Sequence, residues 1–266
     1  MRGRKKSLER EARDVFRPGR HLRRSVYLIP SLFTVANMFA GFFAVVSKLN
    51  GDYEAAAVAI GIAVLLDGVD GWVARLANAD SDFGLQLDSL TDVISFGIAP
   101  AILIYSWGLS EFGAFARFSA FVFLICGAMR LARFNAQVQD LKSFAGLPIP
   151  AGASFVAATI HFFGDPPASN MLKLYLVGAT YLVALLMIST IRYPSFKQLN
   201  LGRGKSHLFV LMLALVVAAG ILYSRPAFMV LASIYLGSGL VIRALHFFRN
   251  RSARSDRLQR QEVQSD

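Results

Sequence analysis

Long apolar runs separated by short polar or Gly/Pro-containing breaks make up most of the chain. The runs at roughly 30 to 49, 53 to 77, 83 to 108, 112 to 138, 147 to 164, 170 to 191, 207 to 224 and 226 to 248 approach the length of about 20 residues that a helix needs to cross a bilayer. Eight such runs predict an all-α, polytopic membrane helix bundle with both termini on the same side. The pattern divides the chain into a tail over 1–29, a core of six spans over 30–191, a loop with two further spans over 192–248, and a polar tail over 249–266. Composition agrees, with 55% hydrophobic and 17% charged residues and a mean hydropathy of +0.49, against about 25% charged residues in soluble domains.

Charge then sets the orientation. The formal net charge of +11 comes mostly from the opening MRGRKKSLEREARDVFRPGRHLRR, the end HFFRNRSARSDRLQRQ and the loop IRYPSFKQLNLGRGKSH, whereas NGDYE, LSEF, GDPPASN and YSRP carry few basic residues. The positive-inside rule places both termini and the turns Asn78 to Asp82 and Gln137 to Lys142 in the cytoplasm. Basic ends of this kind suit contact with anionic lipid headgroups, and no nucleic-acid-binding module is present in the sequence. The opening segment lacks the short apolar region and small-residue cleavage site of a signal peptide before Pro30, so it is expected to remain as a cytoplasmic tail. The single cysteine, Cys126, excludes an intrachain disulfide and a cysteine-rich zinc site.

Against that background, LDGVDGWVARLANADSDFGLQLDSLTDVISFG at 66 to 97 is anomalous. Asp67 and Asp70 are three apart and Asp88 and Asp92 four apart, so on helices each pair shares a face. An unpaired carboxylate in the membrane costs about 2.5–3.5 kcal/mol on insertion scales, and four cost on the order of 10 kcal/mol. A helical hairpin turning at Asn78 to Asp82 brings the pairs together at the cytoplasmic end, where four carboxylates make a reasonable cage for two divalent cations of the kind that serve phosphoryl chemistry. Hard oxygen ligands favour Mg²⁺ or Mn²⁺ over zinc. Gly71 and Gly84 allow close approach of a ligand, and Arg75 could neutralise a diphosphate. An ion-coupled transporter also places carboxylates in the membrane. Here, however, the acids gather at one face, and no repeat with paired broken helices is present in the sequence.

Other polar positions carry two readings. Thr34, Asn37 and Gly41 recur at helical spacing in the first span, where they provide either interhelical hydrogen bonding and close packing or a functional polar, small-residue stripe presented to neighbouring helices. Arg130 and Arg133, near the cytoplasmic end of the fourth span, either extend to the headgroups or grip a phosphate or carboxylate through planar guanidinium groups. The segment FAGLPIPAGAS implies an irregular, kinked or re-entrant start to the fifth helix. Pro30 suits the start of the first. The last two spans carry little polar material and read as packing or oligomer contact.

The central stretch, Asp67, Asp70, Gly71, Ala74, Arg75, Gly84, Asp88 and Asp92 with its spacing, resembles the signature of the CDP-alcohol phosphotransferase family at every position. The blocks SLTDVISFGIAPA, GAMRLARFNA and GLPIPAGA are similar to the integral-membrane, serine-accepting branch of that family. One departure is Ser31 after Pro30, where such enzymes commonly carry Pro-Asn. The resemblance implies a six-helix catalytic core and two divalent metals on Asp67, Asp70, Asp88 and Asp92. It also implies Asp92 as general base, with Asp88 and Arg75 beside it in the catalytic set, and a CDP site formed by Asp70, Gly71, Ala74, Arg75 and Gly84. The substrates it implies are CDP-diacylglycerol and L-serine, handled by an enzyme that is a homodimer in the bacterial cytoplasmic membrane with its site facing the cytoplasm. Ser31, Thr34 and Asn37 are candidate nucleotide or lipid contacts. For the serine carboxylate the candidates are Arg130 and Arg133, with Ser95, Phe96 and Asn135 as neighbours. Glycerol 3-phosphate, inositol or inositol phosphate are the acceptors used elsewhere in the family.

Overall fold

In the computed structural model the described residues are 19–77, 82–136, 146–191, 193, 225–239, 241 and 243, and the side chains of 19–31 and 72–82 are outside the description. All regular structure among these residues is helical. In chain order the α-helices are α1 (Gly19–Leu49), α2 (Tyr53–Ala77), α3 (Asp82–Asp92), α4 (Ala99–Ile104), α5 (Gly113–Ala136), α6 (Ile149–Phe163) and α7 (Asn170–Ile188), followed by α8 over 225–239. Two π-helical segments, Val93–Ile98 and Tyr105–Leu109, join α3, α4 and a short 3₁₀ turn at Ser110–Phe112 into one helical run. That run ends at Gly113, whose φ of 57° reverses the chain in a conformation only glycine adopts freely. Leu32–Leu49, Phe83–Ala136 and Asn170–Ile188 include helices long and apolar enough to cross a membrane.

Five of the eight expected spans coincide with these helices to within a few residues; the first ends as expected at Leu49 but begins at Gly19, inside the segment read as a tail, and the eighth is represented by α8. The seventh span, the two cytoplasmic turns and the C-terminal tail lie outside the described residues, apart from Asp82 at the start of α3. One expectation is corrected. Pro30 lies inside α1 and does not open it. Proline there removes one backbone donor, a loss that membrane-associated helices accommodate by local adjustment and alternative partners.

Helix packing follows the membrane rule that small and polar residues face neighbouring helices while bulky apolar ones face lipid. On α1, Thr34, Asn37, Ala40, Gly41 and Ala44 are buried, and Leu32, Val35, Phe39 and Phe42 are exposed. The matching face of α2 is Ala56, Ala57, Ala59, Ile60 and Ala63, all buried. At Gly41 the backbones come close together: a Cβ there would lie 2.6 Å from the Cα of Ser95. Beside it Ser95 Oγ donates to the Asn37 carbonyl at 3.0 Å, which fixes the first π-helical segment against α1.

The irregular stretch before α6 is ordered by α7. Gly146, at φ 96°, donates its N–H to the Ile191 carbonyl at 2.8 Å, and the Leu147 N–H reaches the Leu186 carbonyl at 2.9 Å. These bonds satisfy backbone that would otherwise be costly to bury. At the other end of the bundle Lys173 Nζ meets Glu111 at 2.5 Å. A small side chain at Gly41 should therefore be expensive. Gly41→Ala is expected to cost about 1–3 kcal/mol by overpacking, seen as a lower thermal unfolding midpoint in detergent, while Gly178→Ala, where a Cβ meets nothing within 4 Å, should leave the midpoint nearly unchanged.

Candidate active site

The hairpin of α2 and α3 brings the two acidic pairs together. Asp67 comes from α2, and Asp88 and Asp92 lie one turn apart on one face of α3. One carboxylate oxygen from each of the three lies within 4.8 Å of the others. At an effective dielectric of about 20 such charges repel by about 3–4 kcal/mol per pair, so the group calls for positive charge. Asp92 is buried, and its Oδ1 has no hydrogen-bond partner among the described residues. An inward oxygen of this kind, with two further carboxylates around it, fits a divalent cation with hard oxygen ligands.

Asp70 is placed differently from the other three. It is buried on α2 and accepts a hydrogen bond from the Thr34 hydroxyl of α1, while remaining within electrostatic range of Asp92. The geometry thus gathers three carboxylates around one point and holds the fourth beside them through α1. Asn37, one turn further along α1, is also buried, and its Oδ1 has no partner among the described residues. Gly71 and Gly84 are half-buried on the two arms of the hairpin. Ala74 and Arg75 lie on the last turns of α2; their side chains, like that of Ser31, are outside the description.

The two arginines of α5 separate. Arg130 is half-buried, and its guanidinium is attracted electrostatically to Asp92 and Asp67. Its Nε has no hydrogen-bond partner among the described residues. Arg133 is exposed. Asn135 Nδ2 donates to Ser89 Oγ at 2.9 Å, tying the end of α5 to α3 between Asp88 and Asp92. Ser95 and Phe96 are fully buried. Ser95 serves the contact with α1, and Phe96 belongs to the hydrophobic core.

The π-helical segment directly after Asp92 and the Tyr235 side chain of α8 were not identified from the sequence as site features. Tyr235 lies close enough to Arg130 to interact with it electrostatically. A single tyrosine in ASIYLGSGL carries no local signal of a charged neighbour more than a hundred positions away.

An acidic hairpin inside a membrane bundle, with an arginine in electrostatic range, is an arrangement that suits phosphoryl-transfer chemistry. The chain belongs to the CDP-alcohol phosphatidyltransferase family, whose profile matches residues 27–191, and members of that family are generally dependent on divalent metal. Among its relatives, the CDP-diacylglycerol–serine O-phosphatidyltransferase of Helicobacter pylori strain J99 is 36% identical over 226 residues, 81% of this chain and 91% of the relative. The Bacillus subtilis protein of the same name is 35% identical over 170 residues, 64% of this chain and 92% of its own. An archaetidylserine synthase from Methanothermobacter thermautotrophicus is 37% identical over 172 residues, 64% of this chain and 71% of that protein.

The site geometry makes cation binding measurable apart from turnover. Purified protein is expected to bind Mn²⁺, followed by loss of the free-ion electron paramagnetic resonance signal. Asp67→Asn and Asp92→Asn should each weaken binding by about tenfold or more. Asp52→Asn, which alters an exposed carboxylate at the start of α2, should leave it unchanged.

Proposed function

We propose that this protein is a phosphatidylserine synthase, transferring the phosphatidyl group of CDP-diacylglycerol to the hydroxyl of L-serine and releasing CMP. The observation that carries the reading is the cluster of Asp67, Asp88 and Asp92 with Arg130 facing it. The names of the relatives support serine as the acceptor.

In this reading Asp67, Asp88 and Asp92, with Asp70 beside them, hold two divalent cations, Mg²⁺ or Mn²⁺. When bound, these supply positive charge to the diphosphate and to the departing CMP. Thr34 keeps the Asp70 carboxylate oriented from α1. Gly71, Ala74 and Gly84 leave room for the nucleotide, and Arg75 matches the diphosphate charge. Asp92 takes the serine hydroxyl proton as the oxygen attacks the lipid-linked phosphorus. The new bond joins that oxygen to phosphorus, and the bond from phosphorus to the CMP oxygen breaks. Arg130 binds the serine carboxylate, a group absent from inositol and glycerol 3-phosphate. Of the two arginines it is the one at the cluster, so Arg133 is read as a boundary residue in contact with headgroups.

The proposal extends to setting. The protein resides in the cytoplasmic membrane of a bacterium, with its acidic site and both termini toward the cytoplasm, and works as a homodimer. The charge asymmetry of the chain ends and loops supports the orientation, as does the position of the acids near the end of α2 and along α3, beside the turn assigned to that side.

The test supplies purified protein with labelled CDP-diacylglycerol and, in turn, L-serine, glycerol 3-phosphate and inositol. Phosphatidylserine and CMP should appear only with serine. Product made instead from another acceptor would assign the enzyme elsewhere in the family. Asp92→Asn should lower kcat by about 10²-fold or more. Arg130→Gln should raise the KM for serine about tenfold while leaving that for CDP-diacylglycerol within about twofold.

A further inference from the structure

Asp92 is the last residue of α3, and its Oδ1 has no hydrogen-bond partner among the described residues. The direction of that oxygen is therefore set by how α3 is turned about its own axis, and the bonds that fix this turn are made on either side of it. Three residues after Asp92, the Ser95 hydroxyl is bonded to the Asn37 carbonyl of α1 at 3.0 Å. Three residues before it, the Ser89 hydroxyl accepts from Asn135 Nδ2 of α5 at 2.9 Å and donates to the Leu85 carbonyl of its own helix, also at 2.9 Å. The ties of α8 lie elsewhere: Arg225 meets Glu54 of α2 at 2.6 Å, Tyr193 stacks on Tyr235 with ring centroids 6.0 Å apart, and the Tyr193 hydroxyl donates to the Leu236 carbonyl at 3.3 Å. None of these involves a residue of α3.

At about 100° per residue, Ser89 stands about 100° around the helix axis from Asp88 and about 60° from Asp92, beside the acidic face and not on it. A bond there acts as a lever on rotation of α3 while leaving both carboxylates open to the space they share with Asp67. The pair of bonds is also directional. An amide NH₂ can only donate, and a serine hydroxyl that donates to a backbone carbonyl offers its lone pairs to the other side, so the Asn135 amide has one place to sit. Asn135 lies on the last turn of α5, where a helix frays unless it is tied down. Through this bond the end of α5 and the middle of α3 hold one another. Metal sites are sensitive to such outer partners, whose loss typically costs about 10–100-fold in affinity or activity.

We propose that Asn135 is a positioning residue for the metal cage: bonded to Ser89 from α5, it sets the rotation of α3 that turns Asp88 and Asp92 toward Asp67. This rests on the reading of those carboxylates as cation ligands. Asn135 then touches neither metal nor substrate and acts through the Ser89 hydroxyl. What it governs is cation affinity and kcat, whereas a neighbour of the serine pocket would govern serine KM.

The experiment is a double-mutant cycle on the full-length protein with Asn135→Leu and Ser89→Ala, read by Mn²⁺ binding through the free-ion electron paramagnetic resonance signal, by kcat and serine KM, and by thermal midpoint without metal. Each single variant should weaken Mn²⁺ binding and lower kcat, both by about tenfold. Serine KM should stay within about twofold, and the midpoint should fall by no more than about 4 °C. The double variant should be no weaker than either single one, and Ser89→Thr, which keeps the hydroxyl, should bind Mn²⁺ as the wild type does. Ser89→Ala removes the same bond from the other side, so it carries the test alone if Asn135→Leu is not recovered folded. Wild-type Mn²⁺ affinity in either single variant would overturn the positioning role, whatever the midpoint. Additive losses would overturn it too, as would a rise in serine KM alone, which would make Asn135 an acceptor contact. Wild-type Mn²⁺ affinity in Asp92→Asn would sink the cation reading itself, separately from any effect at Asn135.

Discussion

Mutual repulsion among three carboxylates in an apolar bundle is the constraint around which the structure is arranged. Asp67, Asp88 and Asp92 are held within 4.8 Å of one another, a spacing that water would screen but a membrane interior does not. Folding alone cannot make this favourable, so the surrounding elements must hold the acids rigidly until positive charge arrives. The hairpin supplies two facing helices, and α1 locks both. Its Thr34 donates to Asp70, and its Asn37 carbonyl accepts from Ser95 just beyond Asp92. The Gly41 contact makes that second lock close enough to be specific.

The first π-helical segment belongs to the same logic. A π turn hydrogen-bonds to the fifth residue back and so lodges an extra residue in the helix, widening it locally. Placed immediately after Asp92, it lets the acidic face of α3 point to Asp67 while the following residues, Ser95 to Gly97, are buried against α1 and α5. A regular α-helix would carry both sets of residues around the axis together.

Much of this was legible in the sequence. The apolar runs locate five spans to within a few residues because membrane helices must be long and uninterrupted, while the basic residues before Pro30 hid the early start of α1 at Gly19; the acids stand out because charge is so rare between the runs. The pairing of Asp88 with Asp92 follows from helical spacing alone. What could not be read is three-dimensional in origin. A mostly apolar run looks the same in α and π geometry, so the segment after Asp92 left no mark. Arg130 and Arg133 are three apart and chemically identical, and only the packing of α5 separates the half-buried one from the exposed one. Thr34 and Asp70, or Tyr193 and Tyr235, are joined by tertiary contacts that local periodicity does not encode. The proline preference for helix starts does not hold at Pro30, because α1 continues through it.

The tether of the last helix at both its ends has a consequence for biogenesis. Synthesis is vectorial: the acidic hairpin and Arg130 enter the membrane long before Tyr235 leaves the ribosome. During that interval the core helices are already in place, while Glu54 waits for Arg225 and Tyr193 for the ring of Tyr235. Docking of α8 joins residues far apart in sequence at two separate levels of the bundle, so closure of the helix bundle is coupled to the arrival of this late helix.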